Sequence, residues 1–161
     1  MCTSASSAAT NEFTALGEQI TTSLQNDDIV EFSQCWISHR EFLGMAHAIR
    51  PPLPKPMLDE LSKMKPYLQK RNLAVAACFK ALQDSLEKIG DPKNLRLVSI
   101  ESKAQERHGM RKTSMFYLEW KLGESKITMD IDDGFAIADT WYFSDTPMNL
   151  QINDKFIEIK P

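Results

Sequence analysis

The hydrophobic period of this chain changes at Asp91-Pro92. Before it, apolar residues recur every three or four positions, as one face of a helix requires. After it they alternate, as a half-buried strand requires. Helices followed by antiparallel strands make an α+β protein with N-terminal helices packed on one face of a sheet. The 161 residues fit one domain, and no disulfide or metal is needed to stabilise a core of that size.

The helical half reads as several elements. Phe13, Leu16, Ile20 and Leu24 mark a first helix over about 11–25. Asn26-Asp27-Asp28 interrupts it, with Asp27 the expected N-cap of a short helix bearing Ile29, Phe32, Cys35 and Trp36. Ser38-His39-Arg40-Glu41 has capping-box spacing and opens a third helix. Four prolines between Pro51 and Pro56 form an extended connection. Helical spacing resumes at Met57, and a long helix carrying Leu68, Val75, Cys78, Phe79, Leu82, Leu86 and Ile89 ends at Gly90.

In the strand half, Leu95 to Ala104 is a first strand. The charged run Gln105–Lys112, with Gly109 inside it, is expected to be a hairpin turn. Phe116, Leu118, Trp120 and Leu122 share one face of the next strand. Ile127, Met129 and Ile131 form the inner row of the one after. Asp133-Gly134 is a two-residue hairpin signal, which makes 135–143 a returning strand with Phe135, Ile137, Asp139 and Trp141 facing inward. A last short hairpin is expected around Asn153-Asp154-Lys155.

Residues 1–10 are small and polar and are expected to be a flexible tether ahead of a single domain over 11–161. Cys2 heads that tether as the lipid-bearing cysteine of a bacterial lipoprotein does. If a signal peptide preceded Cys2, the protein would be extracytoplasmic and membrane-tethered; otherwise it would be cytoplasmic. Cys35 and Cys78 occupy apolar helical positions, as core thiols or as a disulfide pair in an oxidising compartment. No apolar run approaches the ~20 residues that span a bilayer. Nineteen basic against 22 acidic residues, a net charge of -3, give none of the basic field of a nucleic-acid binder.

Three segments carry a family resemblance: EQITTSLQNDDIVEFSQCW, CWISHREFLGMA and KITMDIDDGFAIADTWYF. Over Glu12 to Phe143 the chain resembles the cystatin-like, or nuclear-transport-factor-two-like, superfamily, and in particular small bacterial exported proteins of unknown function. The helical stretch Met57–Gly90 and the polyproline segment depart from that pattern. The resemblance implies a curved sheet wrapped around a helix to leave a cone-shaped pocket. Some members are isomerases or cyclases; many others only bind.

Within such a cone, Asp139 is the candidate catalytic residue, a carboxylate whose pKa an apolar wall would raise toward that of a general base. Trp120, Trp141, Phe116 and Phe135 are the candidate ligand-lining residues. His39, His47 and His108 lack zinc-ligand spacing. Asp130, Asp132 and Asp133 lack the rest of a calcium loop, so no metal and no cofactor is expected. Lys63, Lys65, Lys70 and Arg71 read as a solvated basic face. With no nucleophile motif, the first expectation is a non-enzymatic module binding a small apolar ligand or a protein. Two alternatives are an isomerase- or cyclase-like enzyme using Asp139 and a structural subunit dimerising through its sheet.

Overall fold

The computed structural model describes residues 10–107 and 109–160. The expectations for Cys2, for nearly all of the tether and for His108 lie outside them. Five helices come first: α1 (Thr14–Gln25), α2 (Ile29–Gln34), α3 (His39–Ala48), α4 (Lys55–Ser62) and α5 (Lys65–Ile89). Seven strands follow: β1 (Arg96–Glu101), β2 (Ala104–Arg107), β3 (Met110–Leu122), β4 (Ser125–Ile137), β5 (Thr140–Phe143), β6 (Pro147–Ile152) and β7 (Lys155–Phe156). They form one antiparallel sheet in the order β1-β3-β4-β6-β7, with β2 also on β3 and β5 also on β4. No described helix is long and apolar enough to cross a membrane.

Local chemistry accounts for the helix boundaries. The cap of α2 is Asp28 rather than Asp27: its Oδ1 accepts from the N–H groups of Val30 and Glu31, both at 3.0 Å. Asp27 instead turns the chain with φ +53°, a conformation that aspartate tolerates better than most residues. At α3 the capping box closes both ways. The Glu41 N–H donates to Ser38 Oγ at 3.1 Å, and the Ser38 N–H donates to Glu41 Oε2 at 2.9 Å.

The core lies between the sheet and helices α1, α2 and α5. Phe116, Leu118, Trp120, Met129, Ile131 and Phe143 from the sheet meet Leu16, Ile20, Phe32, Val75, Cys78 and Leu82 from the helices. Each such side chain, fully buried, contributes about 1.5–3 kcal/mol of transfer free energy. The space that would form a cone beneath the sheet is occupied by these side chains. Cys35 and Cys78 are both free and buried. They are core residues, and burial pushes each thiol up to about 12.

Two strand expectations are corrected. Gln105–Lys112 is not a long turn: β2 and β3 pair from Ala104↔Thr113 to Arg107↔Met110. β2 is exposed throughout, so it carries no alternation from which a strand could be read. The second correction is at Asp133-Gly134, which lies inside β4 and not at its end.

The cause is packing. A Cβ on Gly134 would overlap the Phe116 ring and stand 2.9 Å from the Tyr142 carbonyl oxygen. The glycine lets the aromatic ring lie on bare backbone. Beside it Asp133 takes φ +52°. The inward row of β4 therefore steps from Ile131 to Gly134 and Ala136, and Phe135 and Ile137 are turned to the face opposite the one their numbers predict, whereas Trp141 in β5 keeps its inward place. The actual reversal is Ala138-Asp139, with Ala138 at φ +53°.

Candidate functional site

The shift in β4 redistributes the predicted site residues. Asp139 is exposed in the β4–β5 turn and not on the inner face, so no apolar wall surrounds its carboxylate. Phe135 faces away from the core and packs edge-on against Phe42 of α3, ring centroids 5.6 Å apart. Phe116 and Trp120 are in the core at 0% exposure. The Trp120 indole donates to Thr21 Oγ1 at 2.8 Å, and Thr21 donates onward to the Gly17 carbonyl. Trp141 is buried against Phe13, with the Arg111 guanidinium 5.3 Å from its ring centroid. None of these five lines the clefts described below.

The sequence missed a polar cluster under α5. Arg71, placed on the solvated face by its neighbours, is 3% exposed. Its Nη2 donates to the Ile37 carbonyl at 2.8 Å and to Asn72 Oδ1 at 2.9 Å, and Nη1 donates to the Ser144 carbonyl at 3.0 Å. Burial pulls its pKa below the usual arginine value. The guanidinium locks the segment after α2 and the segment after β5 onto α5. Beside it the Tyr67 hydroxyl donates to Asp145 Oδ1 at 2.8 Å. Burial, then Asp145, raises the tyrosine pKa. The Trp36 indole donates to the Asp145 carbonyl oxygen at 2.8 Å.

Asp132, Asp133 and Asp145 bring carboxylate oxygens within 4.8 Å of one another. Burial, then the charge of Asp132, raises the pKa of Asp133. Asp145 Oδ1 already accepts from Tyr67 and from the Thr146 N–H, and Asp132 Oδ1 accepts from the Asp133 N–H. These bonds occupy part of the oxygen set that a hard cation would need.

Two clefts flank this region. One, of about 680 Å³, lies between α5 and the C-terminal segment. Its walls are Leu73, Ala74, Ala77, Pro147 and Ile159, with Tyr67, Lys70 and Arg71 at the polar end. Leu73 is 71% exposed. The other, of about 720 Å³, runs beside β5 between α1, α2 and the start of α3. Neither holds a nucleophile–base pair or a pair of facing carboxylates.

The helices packed on an open antiparallel sheet, with their surface clefts and filled interior, define a cystatin-like α+β fold. The chain is similar to the crystal structure of a cystatin-like protein from Ruminococcus gnavus ATCC 29149, with a TM-score of 0.53 and 14% sequence identity. The likeness covers 93% of this chain and 49% of that one, so this chain spans about half the length of the protein it matches. At that identity the likeness is one of fold. No protein-family model and no curated protein sequence matches the chain.

Proposed function

We propose that this chain is a non-catalytic binding module for an apolar small molecule with an anionic end, held in the cleft between α5 and the C-terminal segment. The observation that carries this is a cleft walled by exposed Leu73, half-buried Ala74, Ala77 and Ile159, and buried Pro147, beside Lys70. Exposed contiguous apolar surface rimmed by polar groups marks a binding site more often than chance exposure does. At about 680 Å³ the cleft falls within the range of ligand pockets, roughly 300–1,000 Å³. Lys70 makes no ion pair with a described residue, so its ammonium is available to a carboxylate. A straight-chain fatty carboxylate has this chemistry.

Titration calorimetry of the full chain with hexanoate, octanoate and decanoate tests it. Each added methylene buried contributes about 0.8 kcal/mol, or roughly a fourfold gain in affinity per carbon. Saturable one-site binding that tightens along the series, and is lost in Leu73→Asp, supports the proposal. Absence of saturable binding, or equal binding by Leu73→Asp, contradicts it.

A further inference from the structure

The polar end of the α5 cleft holds a buried cation with no carboxylate on it. Arg71 lines the cleft at 3% exposure, while Lys70 is exposed at its rim. A guanidinium has five N–H donors. Four of those on Arg71 are spent: Nη2 on the Ile37 carbonyl and on Asn72 Oδ1, Nε on Asn72 Oδ1 at 3.3 Å, and one Nη1 hydrogen on the Ser144 carbonyl. The other Nη1 hydrogen has no acceptor among the described residues.

All of these acceptors are neutral, and no described carboxylate stands at ion-pair distance from Arg71. Asp145 acts on it only through its field, with Oδ1 taken by the Tyr67 hydroxyl and the Thr146 N–H. Burial lowers the Arg71 pKa by more than Tyr67 and Asp145 raise it. A buried charge is costly unless it is paired. A carboxylate is the partner that guanidinium geometry matches best.

We propose that Arg71 is the specificity-determining residue of this cleft: its free Nη1–H takes the carboxylate of the ligand, whose alkyl chain lies along Leu73, Ala74, Ala77 and Ile159. Lys70 is left to draw the anion to the rim. The proposal rests on the binding reading above, and adds that the cleft selects an acid over a neutral molecule of the same shape. A head group on Arg71 is out of water, so salt screens the attraction little. A head group on Lys70 alone is at the surface, where salt screens it strongly.

The test compares octanoate with octanamide, which keeps the shape and removes the charge. Calorimetry of the full chain should show octanoate binding about tenfold or more tighter, and a preference of similar size at about 0.05 M and about 0.5 M salt. In arginine-labelled protein, the Arg71 Nη signals should shift saturably with the calorimetric midpoint. Arg71→Gln should bind the two ligands alike. Arg71 also ties down the carbonyls at 37 and 144, so the unsubstituted protein carries the decisive readout whether or not that variant folds. Saturable octanoate binding that leaves the Arg71 signals unmoved overturns the assignment but not the binding reading. So does a preference that disappears at high salt, which puts the head group on Lys70. If neither ligand saturates, the binding reading falls and this one with it.

Discussion

Trp120 and Thr21 meet through a 2.8 Å hydrogen bond that joins the C-terminal end of β3 to the middle of α1. Both residues are buried, so the indole N–H has no water to replace its partner. Thr21→Val keeps the shape and removes the acceptor. The orphaned donor then costs about 1–3 kcal/mol. Urea unfolding followed by tryptophan fluorescence should show the loss, while Ser23→Ala on the same helix leaves the Trp120 bond in place. A Thr21→Val protein as stable as the parent would show that the bond is dispensable.

The Phe116 ring lies against the bare backbone of Gly134. Gly134→Ala drives a methyl group into the ring and should destabilise the fold by about 1–3 kcal/mol. Phe116→Leu is itself destabilising, because it leaves a smaller side chain in the core. In the double variant the two effects should be less than additive, because the smaller side chain gives the methyl room. Strict additivity, read from denaturation midpoints of the four proteins, would mean that the ring is not what excludes a side chain.

This contact also explains where the sequence misleads. Asp133-Gly134 has the composition of a tight hairpin, and nothing local distinguishes a glycine required by a turn from one required by an aromatic ring stacked on its backbone. Reading it as a turn inverts the parity of Phe135 and Ile137 and runs a strand through the true reversal at Ala138-Asp139. That is why Asp139 and Phe135 read as inner-face residues in the sequence. The elements set by their own periodicity were legible: the α1 stripe of Phe13, Leu16, Ile20 and Leu24, the Ser38–Glu41 box, and the alternation from Phe116 to Leu122. The candidate clefts were not. Leu73 and Ile159, or Val30 and Tyr142, come together only through tertiary packing. Arg71 sits in a basic run and is buried by contacts with carbonyls at 37 and 144.

Asp133 gives the fold a pH dependence of definite sign. Burial and the Asp132 charge raise its pKa in the folded state above the usual 3.8. A carboxyl whose folded pKa exceeds its unfolded one binds protons more tightly when folded. Its contribution is full below the unfolded value and is lost as pH rises through the folded one. Asp133→Asn keeps a side chain that accepts φ +52° and removes the charge. The variant should be more stable than the parent at pH 7, and the advantage should shrink at pH 3. Thermal melts at the two pH values check this; an advantage larger at pH 3 would reverse the assignment.

The proposed ligand site lies on the outside of the helical layer and not beneath the sheet. Alanine methyl groups report on this directly, because Ala74 and Ala77 line the α5 cleft while Ala136 lies on the inner face of β4 and Ala46 is buried in α3. The measurement is a titration of methyl-labelled alanine protein with decanoate, followed by carbon–proton correlation NMR. The account predicts saturable shifts at Ala74 and Ala77 with Ala46 and Ala136 stationary. Shifts centred on Ala136, or none at Ala74 and Ala77, would contradict it.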